Sequence, residues 1–243
     1  MFETTNDPAS APRQRSLWRR AVIGAVAAGV LLAGGTGTAA ADPPPSSVLI
    51  TQEDLPPGYV LFDSALLEQP DDAEGDAEIP DVDLPMEDIT VNPPECGAMS
   101  PGEQTHPATS LLTGGWAMDA DTGNLHMLSI VVGEGSANVS ETRQHLEQCS
   151  TVTLSALGIT STARTSAYQP PASSADESAG LAITTTDGDG NRTATVMLIA
   201  RADEHNVIAS LTDTASSEID QLSDLEEFEQ TFVTQVHQVR QLG

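Results

Sequence analysis

Beyond residue 110 the apolar residues come in strand-length runs, each cut off by a cluster of turn formers. Residues 114–120 (GGWAMDA) and 125–132 (LHMLSIVV) flank Asp121-Thr122-Gly123-Asn124 and predict an antiparallel hairpin. Residues 159–168 alternate loosely and predict a strand ended by Pro170-Pro171. Residues 181–186 and 193–201 flank Asp187-Gly188-Asp189-Gly190-Asn191, whose Asp-Gly and Gly-Asn pairs form tight turns, and 207–212 supply a further strand. The period changes twice. Asn138-Val139-Ser140-Glu141 has capping-box spacing and opens a helix to about Cys149; Ser223-Asp224-Leu225-Glu226 repeats that spacing. Behind the second box Leu225, Phe228, Phe232, Val236 and Val239 recur at steps of 3, 4, 4 and 3, the mark of one apolar helix face. Upstream, residues 51–59 (TQEDLPPGY) predict a helical turn stopped by Pro56-Pro57-Gly58, with a strand through 59–61. Hairpin strands with two helices indicate an α+β domain: an antiparallel β-sheet with the helices packed on one face of it.

The N-terminal pattern differs in kind. Arg13, Arg15, Arg19 and Arg20 lead into the apolar run 21–33, and Ala39-Ala40-Ala41 precede Asp42. That order is what an export translocase and its peptidase read, so residues 1–41 are expected to be a signal peptide and the chain to be secreted. The run is shorter than the roughly 20 residues of a spanning helix, so no stable membrane insertion is expected after cleavage. An uncleaved anchor is the competing reading. Residues 42–47 (DPPPSS) read as a stiff linker. Residues 48–243 then form one domain, within which 71–88 hold nine acids and no base. Such a stretch buries too little apolar surface to offset its ordering entropy, and a mobile loop is expected.

Charge narrows the choice of partners. The chain carries −27, and removing residues 1–41 leaves five arginines against 34 acids, with no lysine anywhere. That sign repels phosphate backbones and anionic head groups, so nucleic acid and membrane surface are poor partners and no nucleic acid is expected. A basic protein partner or a cation stays open beside the plainer reading of a solvated acidic coat. The two cysteines, Cys96 and Cys149, sit in an exported chain and are expected to form a disulfide. It would close a loop of about 54 residues, worth at most about 4 kcal/mol on the chain-entropy model. Neither cysteine has a second cysteine or a histidine at metal-ligand spacing.

No constellation for chemistry emerges. Residues 187–191 copy the first five positions of a calcium loop, but Arg192 stands where glycine is needed and Leu198 where the bidentate Glu belongs. His106, His126, His145, His205 and His237 show no paired metal-ligand spacing. There is no Gly-x-Ser-x-Gly elbow, and Ser-x-x-Lys is impossible without lysine. No phosphate-cradling glycine loop occurs. Asn138 and Asn191 match glycosylation sequons, which their cap and turn positions explain. Tyr59, Trp116 and Tyr168 read first as core, with a cleft lined by them as the alternative. No catalytic residue, metal or cofactor is assigned, and binding residues stay unidentified.

Leu55-Pro56-Pro57-Gly58-Tyr59, then Pro93-Pro94-Glu95-Cys96, a strand pair, a helix ending in Cys149, more hairpins and a final amphipathic helix form a familiar series. Over about residues 48–242 the chain resembles the extracellular sensor domain of mycobacterial PknH-type serine/threonine kinases and their free-standing secreted or lipoprotein relatives. The resemblance implies an antiparallel sheet with flanking helices, a core-facing disulfide matching Cys96 and Cys149, and a cleft for an unidentified ligand. Two departures stand out: the sensor domain has two disulfides where this chain has cysteines for one, and no kinase motif is present. The resulting expectation is a non-enzymatic, sensor-type ligand-binding module of an actinobacterial cell envelope, holding a small molecule or envelope component. The alternatives are an acidic interaction protein docking a basic envelope partner, and an extracellular hydrolase.

Overall fold

The computed structural model of the chain describes residues 46–63, 90–97, 111–118, 124–134, 139–156, 159–214 and 216–242. The segments read as signal peptide (1–41) and acidic loop (71–88) lie outside them, as does His106. Nine strands make one sheet: β1 (Val60–Asp63), β2 (Thr90–Asn92), β3 (Leu111–Met118), β4 (Leu125–Glu134), β5 (Thr151–Ala156), β6 (Ile159–Tyr168), β7 (Glu177–Thr186), β8 (Arg192–Ala202) and β9 (His205–Asp213). Their order is β1-β3-β4-β9-β8-β7-β6-β5-β2, antiparallel at every pairing. Helix α1 (Val139–Gln148) lies between β4 and β5 in the chain, and α2 (Leu225–Arg240) follows β9.

The two helices cover opposite faces of the sheet, not one face as the sequence suggested. On β8, Val196 and Leu198 share a core with Phe228, Phe232, Val236 and Val239 of α2. The alternate residues Met197 and Ile199 join Val139 of α1 in a separate core. Side chains alternate along a strand, so these sets point to opposite sides. The unbroken apolar run of β8 is the local signature of a strand covered on both faces.

The predicted α2 stripe is buried at Phe228, Phe232, Val236 and Val239. Thr231 and Gln235 are buried too, because a second layer crosses the helix. The segment before β1 runs over α2 as a strap. Gln235, fully buried, receives the Ile50 N–H at 3.0 Å and donates its amide to the Val48 carbonyl at 2.6 Å. Its side chain thereby does for the strap what a neighbouring strand would do. The Thr231 hydroxyl lies 2.9 Å from the Asp54 carbonyl oxygen. Among the described residues the strap begins with the 3-10 turn Ser46–Val48.

Leu55-Pro56-Pro57-Gly58-Tyr59 turns out to be a packing device. Leu55 and Tyr59 are buried in the α2-side core. The approach is close: a Cβ on Gly115 of β3 would meet Leu55 Cδ1 at 2.8 Å. Gly58 turns the chain with φ of +89°. Gln52 then spans the outer edge of β1, donating to the Tyr59 carbonyl at 2.8 Å and accepting the Leu61 N–H at 2.9 Å. Backbone groups of an edge strand that would otherwise invite another chain are satisfied there.

The far edge is held covalently. Cys96, in the turn Pro94–Gly97 after β2, is bonded to Cys149, which follows α1, with their Cα atoms 5.7 Å apart. Both are buried with Val152 and Leu154 of β5. The loop at 187–191 is a hairpin turn: Asp187 Oδ1 accepts the N–H groups of Asp189 and Asn191, and Oδ2 accepts the Asn191 amide. Its first carboxylate is occupied by the turn itself.

Candidate functional site

Two kinds of place stand out: a half-buried polar node at the start of α2, and the parts of each sheet face that neither helix covers. The node gathers a tyrosine, a histidine, two aspartates and a serine. Asp224 is the N-cap residue of α2, its carbonyl receiving the Phe228 N–H at 2.9 Å. The capping box expected from Ser223 does not form, and no side chain caps the helix. The Asp224 carboxylate is turned the other way: its Oδ2 accepts the Tyr59 hydroxyl at 3.0 Å and lies 3.1 Å from His126 Nδ1. His126, on β4, stands directly opposite Asp213 of β9 in the strand register. Asp213 is buried and takes the hydroxyl of Ser216, which also lies 3.1 Å from the Gln221 carbonyl oxygen.

Burial pushes the Tyr59 phenol well above its ordinary range, and the charges of Asp224, Asp213 and Glu227 push it further the same way. Tyr59 is a held proton donor here. The Ser216 hydroxyl faces an acid and a carbonyl, while the His126 ring lies against Asp224. The arrangement locks the start of α2 to β1 and β4. Tyr168 repeats the motif along the helix, its hydroxyl donating to Glu229 Oε1 at 2.7 Å.

The remaining predicted residues are dispersed. His237 is exposed on α2 with its Nε2 2.8 Å from the Gln241 amide nitrogen, and His205 opens β9. His145 lies within α1. Among the described residues no three His, Cys, Asp or Glu converge as a metal site would require. No helix among them is long and apolar enough to cross a membrane.

The open faces are the other candidates. On the α1 side, the helix packs against β6, β7 and β8. On the same face Trp116 of β3 is 39% exposed, with Val60 at 53% and Met118 at 59%. Val60 and Trp116 are register partners, and Met127 of β4 follows Trp116 in the same row. One strand step along, Gly114 leaves the row without a side chain and the Ser129 and Ser210 hydroxyls meet at 2.7 Å. The result is a shallow apolar shelf on the α1-side face with a hydroxyl pair in its floor. Of the three aromatics, Tyr59 follows the core reading, whereas Trp116 does not.

On the α2 side, no described element packs over the opposite half of the sheet. There β5, β6 and β7 present threonines in register: Thr153, Thr162 and Thr186 form one row, and Thr151, Arg164 and Thr184 the next. Sequence reading passed over β5 (TVTLSA) and β2 (TVN) although both alternate polar and apolar residues, because each is short and β2 offers a single apolar position.

No protein-family model matches the sequence, and no curated protein matches it. Among solved structures the chain is similar to an uncharacterised Mycobacterium smegmatis protein, the Rv0999 ortholog, with 15% identity and a TM-score of 0.41, over 78% of this chain and 93% of that one. It is also similar to the extracellular domain of PknH from Mycobacterium tuberculosis, with 15% identity and a TM-score of 0.43, over 61% of this chain and 77% of that one.

Proposed function

We propose that this chain is a secreted, non-enzymatic ligand-binding module of the cell envelope, and that its ligand is an apolar or amphipathic small molecule seated on the shelf at Trp116. The carrying observation is the exposure of Trp116, Val60 and Met118 side by side on a sheet face whose other half is covered by α1. Large apolar side chains clustered on an open face are where an apolar ligand gains most from leaving water. A disulfide suits an oxidising compartment, which agrees with the signal-like residues 1–41.

The test is native mass spectrometry of the protein purified from its own host's envelope, compared with its denatured mass. A reproducible extra mass, lost in Trp116→Ala, is expected. Of the chain's two tryptophans only Trp116 lies beyond the signal-like segment, so its emission should also move to shorter wavelength when the extracted ligand is returned. An unladen protein whose emission ignores envelope extract would overturn the reading. The net charge of −27 favours one alternative, docking of a basic envelope protein. That contact would weaken steeply with ionic strength, whereas binding on the shelf would not.

A further inference from the structure

The open half of the α2-side face has a charge pattern at odds with the rest of the molecule. The sequence holds 36 acids, yet none occupies an α2-side strand position of β2, β5, β6 or β7. Those positions carry mainly threonine and serine, and the only charged side chain on them is Arg164. The strands' other side is the buried one, with Val152 and Leu154 against the disulfide and Ala163, Leu181 and Ile183 against α1.

Arg164 is also unlike the other arginines of the domain. Arg192 pairs with Glu218, Arg201 with Glu177, and Arg240 with Asp176 and Asp203, while Arg143 donates to the Ser178 carbonyl. Arg164 is exposed and, among the described residues, has no acid or carbonyl partner. Its register neighbours are Thr151 on one side and Thr184 on the other. A guanidinium flanked by hydroxyls and, among the described residues, clear of carboxylates is a seat for an oxyanion with hydroxyls around it.

We propose that this face binds a glycan carrying sparse acidic groups, with Arg164 taking the oxyanion and the threonine rows bonding to the sugar hydroxyls. Strand geometry spaces those rows about 4.8 Å apart across the sheet and about 6.7 Å along it, giving a flat lattice of groups that both donate and accept. Sparse charge is required because the strongly negative molecule repels a dense polyanion. The surface lies on the opposite side of the sheet from Trp116, so it stands or falls separately from the shelf.

The experiment is calorimetric titration of the purified protein with three hexasaccharides: one alternating glucuronate with N-acetylglucosamine, neutral maltohexaose, and maltohexaose bearing one phosphate. Saturable binding to an acidic hexasaccharide, at least tenfold tighter than to the neutral one, is expected. The preferred acid identifies the oxyanion as carboxylate or phosphate. Arg164→Gln should remove the acidic preference, Thr162→Val with Thr186→Val should weaken all binding severalfold, and Trp116→Ala should change nothing. Thermal melting of each variant controls for folding. Absence of binding to both acidic glycans, equal binding in Arg164→Gln, or displacement by inorganic phosphate at the glycan's own affinity would overturn the proposal.

Discussion

Tyr59 and Tyr168 are the only tyrosines in the chain, and each donates its hydroxyl to a carboxylate of α2 or its cap. Burial is the larger cause of the upward push on Tyr59, with Asp224 next; for Tyr168 burial again leads and the hydrogen bond to Glu229 follows. The folded state therefore holds these phenolic protons more tightly than the unfolded chain does. Their stabilisation is complete below the ordinary tyrosine value near pH 10 and is lost as pH rises from there towards the folded value. For Tyr59 the loss runs at about 1.4 kcal/mol per pH unit. Tyrosinate absorbance should accordingly stay absent at about pH 10, where a free tyrosine is half ionised, and appear together with the loss of circular dichroism. Ionisation of either tyrosine in a still-folded protein at that pH would contradict the assignment. Tyr59→Phe should cost about 1 kcal/mol at neutral pH, through the lost bond to Asp224, and flatten the alkaline dependence.

At the scale of elements, α2 is organised by what covers it. Its sheet-facing stripe was legible in the sequence because apolar residues recur at helical spacing, and the long strands β4, β8 and β9 were legible for the same kind of reason. The strap was not, because its contacts use polar side chains: Thr231 and Gln235 look solvent-facing in any hydrophobic pattern. Asp224 misled for a related reason, since its carboxylate serves Tyr59 and His126 rather than the helix end. The shelf at Trp116 was half legible: the tryptophan stood out, but only strand pairing shows Val60 beside it. Arg164 gave no local signal at all, because its significance lies in the acids absent from the α2-side positions of the neighbouring strands. Gln235→Leu tests the strap. The substitution keeps the volume but leaves the buried Ile50 N–H and Val48 carbonyl unpaired, at a cost of about 2 to 4 kcal/mol for the two groups. Denaturant titration should show that loss, and limited proteolysis should cut near residues 46–55 before the sheet unfolds. Wild-type stability and proteolysis in the variant would mean that the strap is held by its apolar contacts alone.

Across the whole molecule, the sheet is fastened differently at its two ends. The β1 edge is held by Leu55, Tyr59 and the Gln52 bridge, all non-covalent and close to α2. At the other edge β2 pairs with β5 over only three residues, while α2 packs on β8 and β9. A strand so short is marginal alone. The Cys96–Cys149 bond compensates by tying the turn after β2 to the chain just before β5. It also joins segments 53 positions apart, so it restricts the unfolded chain as well. Replacing both cysteines by alanine should lower stability by up to about 4 kcal/mol if β2 stays docked until the whole sheet melts. If β2 peels away first, the loss in global stability will be smaller and the damage local. Hydrogen exchange separates the two: local peeling predicts faster exchange at Val91 and Leu154 while Val196 and Leu198, buried in the centre of β8, keep their protection. The narrowness of the β2–β5 pairing leads us to expect the local outcome. A thiol titration finding two free cysteines in the folded wild-type protein, or unchanged exchange at Val91 after both replacements, would remove the disulfide from its role at this edge.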